Sequence, residues 1–155
     1  MKFLLLVIAL FTLIHTSSAK EVAVGDAFSI SLPDTAREQA RSQDSPDTIL
    51  AKYHDETFQL FMYRWPDVKA SVPLKGIPEQ WAKNKKWASV SSINEGRTDS
   101  DIPYVTFKTR IVEGDQRPFD SFMTVLRSAT GSAYMLQMVG DTKAIDAIRK
   151  SIKNK

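Results

Sequence analysis

Between Tyr104 and Gly140, apolar and polar residues alternate with the period of a β-strand, three times in succession. In the first segment Val105, Phe107, Thr109 and Ile111 share one face and Tyr104, Thr106, Lys108 and Arg110 the other. Glu113-Gly114-Asp115-Gln116 carries turn chemistry, with Gly114 free to adopt positive φ. Phe119 to Arg127 is rich in aromatic and β-branched residues. After the turn residues Ser128 to Ser132, Ala133 to Val139 places Tyr134, Leu136 and Met138 on one side. Connections this short make the three strands antiparallel neighbours. Everything else must cover a face or an edge of this meander.

Upstream, Phe28, Ile30 and Leu32 alternate with Ala27, Ser29 and Ser31 until Pro33, which predicts a strand with one buried face. Asp34 to Asp47 holds no large apolar residue and reads as a solvated loop or a short, mobile helical turn, with nothing to anchor it to a core. Ile49 to Tyr53 and Phe58 to Trp65 flank His54-Asp55-Glu56-Thr57 and predict a hairpin. Its second arm is apolar on both faces and is expected to be covered on both sides. Pro78 suits the first position of a helix ending near Ala88, with Ile77, Trp81 and Ala88 in one stripe. Val90 to Glu95 is a weak strand candidate. Asp141 is a good N-cap for a closing helix from Thr142 to about Lys153, striped by Ala144, Ile145, Ile148 and Ile152. Helices segregated from strands define an α+β fold: an antiparallel sheet of about six to seven strands covered by two helices, one to a face in the simplest arrangement.

The N-terminus stands apart from this pattern. Lys2 precedes an apolar run from Phe3 to Ile14, and Ser17-Ser18-Ala19 offers the small residues a signal peptidase reads. The run falls well short of the ~20 residues a spanning helix needs. Cleavage after Ala19 is expected, so that residues 1–19 are a signal peptide and 20–155 a single domain without a membrane span, exported to the periplasm or secreted. Removing 19 of 155 residues leaves 136, a chain long enough to bury roughly two thirds of its unfolded surface.

Charge and cysteine content narrow the partners. The chain carries 21 Lys and Arg against 18 Asp and Glu, so removal of Lys2 leaves a balance of +2. That is too mild for a nucleic-acid partner. Cysteine is absent, so an exported domain of this size rests on its core alone, which suits a bacterial periplasm.

Phe28-Ser29-Ile30-Ser31-Leu32-Pro33 resembles the opening strand-and-proline signature of PsbP-like domains (the Mog/PsbP-type fold). Asp120 to Gly140, with the helix ending Ile148-Arg149-Lys150-Ser151-Ile152-Lys153, resembles their closing hairpin and terminal helix. Asp34-Thr35-Ala36 stands where the family usually carries a tryptophan. The resemblance implies an αβα arrangement and an adaptor or accessory role, as in an extrinsic photosystem II subunit or a Ran-binding import factor. It implies no catalytic residue.

Candidate chemistry is sparse. With no cysteine and with His54 the one histidine left after cleavage, nucleophilic catalysis has little to draw on. His54, Asp55 and Glu56 put two or three ligand types into one turn, below the set a metal site needs, and read as a solvated turn. Asp99 and Asp101 read as turn formers, because their segment lacks the glycine and distal glutamate of a calcium loop. No glycine cluster cradles phosphate. No cofactor is expected.

Trp81 belongs to the apolar stripe, whereas Trp87 falls roughly 120° of helical rotation from it, beside Lys83 and Lys86. Trp87, Lys83 and Lys86 are therefore a candidate partner-binding surface, the alternative being partial burial of Trp87 against a loop. The expected function is that of a periplasmic, non-enzymatic accessory or binding protein acting on another protein through a surface or a shallow groove between sheet and helix. An inhibitor or immunity protein directed at a secreted toxin or hydrolase is the alternative. A small-molecule or lipid carrier is a third reading, which requires an apolar cavity of several hundred Å³.

Overall fold

The computed structural model describes residues 18–40, 48–65, 68, 71–83, 85, 88–112 and 117–155. Ten strands and two helices follow one another: β1 (Ala19–Val24), β2 (Phe28–Pro33), β3 (Arg37–Glu38), β4 (Ile49–His54), β5 (Phe58–Trp65), α1 (Ile77–Ala82), β6 (Ala88–Arg97), β7 (Pro103–Ile111), β8 (Phe119–Arg127), β9 (Ala133–Gly140), α2 (Thr142–Lys150) and β10 (Lys153–Asn154). A 3-10 turn, Leu74–Gly76, leads into α1.

Seven strands form one antiparallel sheet in the order β3-β4-β5-β9-β8-β7-β6, and β1-β2-β10 form a second, smaller sheet. The expected meander is β7-β8-β9, with Phe107 opposite Met123 and Thr124 opposite Leu136. The expected hairpin is β4-β5, and β5 lies inside the sheet against β9.

Alternation along these strands divides the core in two. Leu60, Met62, Leu126, Tyr134, Leu136 and Met138 face the small sheet and α2, whose Ile145 and Ile148 are buried with Phe28, Ile30 and Leu32. Val105, Phe107, Met123, Val125, Ala133 and Met135 face the other way, against Ile77 and Trp81 of α1. Each helix therefore covers one face of the large sheet, and the arrangement is α+β.

The helices cover different halves of those faces. Strand β6 contacts α1, while α2 lies over β9 and β2. On the α2 side, no helix among the described residues covers the half of the sheet made by β6 and β7.

Several expectations are corrected. Helix α1 ends at Ala82 rather than near Ala88, because Ala88 pairs with Ile111 in the sheet. Strand β6 is longer than the Val90–Glu95 segment, at ten residues. Helix α2 ends at Lys150 rather than Lys153. Ser151 caps it and donates its hydroxyl to Ile148 O, and the chain then leaves the helix so that Ile152 enters the core and Lys153 pairs with Ser29. The segment after Pro33 is anchored after all. Ala36 is buried in the core, its N–H donates to Pro33 O, and Arg37 and Glu38 pair with His54 and Tyr53. Its remainder, 41–47, lies outside the described residues, as does 1–17 of the expected signal peptide. Strands β1 and β10 were not anticipated.

Candidate functional site

Where α2 stops short of β6 and β7, a groove of about 270 Å³ opens between helix and sheet. Its floor comes from the polar face of β7 and from β8, with Thr106, Lys108, Phe122 and Thr124. Its wall is α2, through Thr142, Ile145, Asp146 and Arg149, and its far rim is β6, through Ser92 and Asn94.

Each boundary has a local cause. Asp141 accepts hydrogen bonds from the backbone N–H groups of Lys143 and Ala144, which starts α2 immediately after β9 and aims it across the sheet. On the rim, the register between β6 and β7 shifts between Ser91 and Asn94, so that β6 holds one residue more than its partner. Ser92 takes φ of 53° at this bulge, and the Asn94 side-chain amide donates to Ser92 O at 2.9 Å. Beside it Ile93 is 42% exposed; with Val112 it is one of two exposed large apolar side chains among the described residues. A bulge on an edge strand interrupts its free hydrogen-bonding edge and guards against unspecific strand pairing.

The end of the groove is closed by a stack. Tyr104 lies across Gly96, and the Arg149 guanidinium sits over the Tyr104 ring at 5.5 Å. Arg149 also donates to Asp146, yet its Nε–H is buried without a partner. On the floor, Lys108 Nζ donates to Asp120 at 2.8 Å and lies over the Phe122 ring at 5.8 Å, while Arg110 shares the same carboxylate at 3.4 Å. The hydrogen bond from Lys108 holds the Asp120 carboxyl below its ordinary value of 3.8. The groove is thus rich in donors, with its ionisable groups in pairs and none standing as an unpartnered acid or base.

The turn at His54 forms a second, polar depression of about 710 Å³ with Asp34, Thr35, Arg37, Asp55, Glu56 and Thr57. Asp55 is committed to the turn itself. Oδ1 accepts from Thr57 N, Thr57 Oγ1 and Phe58 N, and Oδ2 from Thr35 Oγ1. Burial opposes its charge, but these bonds together hold its carboxyl below 3.8. An Asp so engaged is a hairpin cap, not a ligand. Among the described residues no group of three or more His, Asp or Glu converges on a common point.

Lys83 is exposed at the C-terminal end of α1, on the face of the sheet opposite the groove. Lys86 and Trp87 lie outside the described residues. The helical rotation that set Trp87 apart assumed a helix to Ala88, and α1 ends before it. A mostly apolar cleft between β2 and α2, lined by Leu32, Pro33, Ala144 and Ile148, measures about 200 Å³. It is smaller than the roughly 300–1,000 Å³ of ligand pockets. Among the described residues no helix is long and apolar enough to cross a membrane.

No protein-family model matches the chain, and no curated protein sequence matches it. Among solved structures the chain is similar to the solution structure of cyanobacterial PsbP (CyanoP) from Synechocystis sp. PCC 6803, at 12% identity and a TM-score of 0.60. The match covers 92% of this chain and 95% of that one. At that identity the likeness is one of fold, and the protein has a PsbP-like α+β fold.

Proposed function

We propose that the protein is an exported, non-enzymatic accessory protein that binds a segment of another protein in the groove between α2 and the sheet. The observation that carries this reading is the groove itself: a sheet face carrying Lys108 beside α2, rimmed by Ser92 and Asn94 of the β6 bulge. A sheet floor with an apolar ring, Phe122, and a helix wall are elements of a protein-binding surface. The pairing of Lys108 with Asp120 and of Arg149 with Asp146 supports binding over catalysis, because a general acid or base needs a group free to exchange protons with substrate. Export to the periplasm rests on the leader-like pattern of Met1 to Ala19. The PsbP-like fold is compatible with an accessory role and does not by itself define one.

Affinity capture with Lys108→Glu, Thr106→Arg and Trp87→Ala variants tests this reading. A stoichiometric partner held by the wild type and by Trp87→Ala, but lost by Lys108→Glu and Thr106→Arg, is the expected result. A partner lost only with Trp87→Ala would move the interface to the Lys83, Lys86 and Trp87 segment. Turnover in a hydrolase panel, abolished by a point mutation, would overturn the non-enzymatic reading.

A further inference from the structure

The side chains of the groove differ sharply in what they offer and what they lack. Lys108 and Arg110 both lean on one carboxylate, Asp120, so this trio retains a positive charge. Across the groove Arg149 gives one nitrogen to Asp146 and holds its guanidinium carbon 5.5 Å from the centre of the Tyr104 ring, while its Nε–H stays buried without an acceptor. A lysine has three donors and an arginine five, and the two carboxylates here cannot satisfy them all. Lys108, Arg110 and Arg149 against Asp120 and Asp146 leave this cluster with positive charge in excess, which favours an occupant that brings negative charge.

We infer that the segment received by the groove is extended and acidic, with carboxylates meeting Lys108 on the floor and Arg149 on the wall. The inference rests on the groove reading above and adds the chemistry of the occupant. An extended chain suits a strand floor whose side chains stand up at alternate positions, since every second side chain of the segment then points down. Its backbone carbonyls are further acceptors. A carboxylate that draws the Arg149 guanidinium off Tyr104 supplies the acceptor that Nε now lacks, as a planar fork accepts two oxygens at once. Phe122 supplies the apolar contact that charge alone does not.

Titration of the ¹⁵N-labelled protein with short peptides of alternating Glu and Thr, alternating Lys and Thr, and Ser and Thr alone tests the inference. The Glu-Thr peptide is expected to move the backbone signals of Thr106, Lys108 and Arg149 and the Arg149 Nε–H signal. Its binding is expected to exceed that of the Lys-Thr peptide at least about threefold and to weaken as salt is raised. Lys108→Glu should weaken it about tenfold while Lys108→Arg retains it. Equal or stronger binding of the Lys-Thr or the uncharged peptide at the same residues would overturn the acidic occupant and leave the groove reading standing. Shifts confined to residues outside the groove, or none with any peptide, would overturn both.

Discussion

The ring of Tyr104 lies across Gly96 on the neighbouring strand so closely that a Cβ at position 96 would stand 2.6 Å from both its Cζ and its Oη. The two residues are register partners between β6 and β7, and the glycine leaves the space that lets the ring lie flat beneath Arg149. Gly96→Ala therefore pushes the ring toward the guanidinium. Overpacking costs about 1–3 kcal/mol, and removing a strand glycine returns roughly 0.5–1 kcal/mol. The net loss in a urea melt is expected to stay within about 2 kcal/mol, while the Arg149 Nε–H signal shifts because its aromatic platform has moved.

Gly140 is far less tolerant. Its φ is +135°, and a Cβ there would stand 2.2 Å from the carbonyl oxygen of Thr57 and 2.7 Å from Phe58 Cα, both backbone atoms of β5 and its turn. Backbone cannot swing aside as a tyrosine ring can. Gly140→Ala is expected to cost about 3 kcal/mol or more, combining positive-φ strain with the clash. Denaturant midpoints of Gly140→Ala and Gly96→Ala in one experiment check the order of severity.

Asp141 stands directly after Gly140 and holds the first turn of α2. Asp141→Ala should lower stability by about 1 kcal/mol, and Asp141→Asn by less, since asparagine also caps. Because α2 is the wall of the groove, fraying of its first turn should show in faster hydrogen exchange at Lys143 and Ala144 before any change elsewhere.

Stability should fall in acid for an identifiable reason. The bond from Lys108 to Asp120, that from Lys153 to Glu21 and that from the Tyr134 hydroxyl to Asp26 each hold a carboxyl below its ordinary value, 3.8 for the aspartates and 4.5 for the glutamate. The folded protein thus binds fewer protons than the unfolded chain in this range, and stability rises with pH. Their contribution is complete above those ordinary values and is lost as pH falls through the lower folded ones. These groups are exposed, so the effect is modest and screened by salt. Asp120→Asn should flatten the decline of melting temperature below the ordinary carboxylate range and change little at neutral pH.

Much of this architecture is legible in the amino-acid pattern, and the parts that are not share a cause. The β4-β5 hairpin, the β7-β8-β9 meander and the capped start of α2 rest on local alternation and on turn or cap residues next to it. Strand β1 has only Val22 and Val24 as inward apolar residues, and β10 is two residues long. Both exist because β2 offers them an edge, Phe28 pairing with Val24 on one side and Asn154 on the other. Pairing across so many residues leaves no local trace. Ala36 is buried although Thr35 and Arg37 on either side of it are polar, because a small side chain fits under the turn that Pro33 begins.

The groove was half visible. Alternation already set Thr106, Lys108 and Arg110 on the face opposite Val105 and Phe107. What no spacing reveals is that α2 would cross only part of that face and bring Arg149 beside Tyr104. Trp87 drew attention through a helical rotation that ends with the helix at Ala82.

A photo-crosslinking amino acid placed at Thr106, inside the groove, and in a separate strain at Gln59, exposed on β5 outside the groove, tests the central claim most directly in the cell of origin. The account predicts one covalent protein adduct from Thr106, diminished by Lys108→Glu in the same chain, and none from Gln59. Adducts from Gln59 alone, or from neither position while a partner still co-purifies, would contradict it.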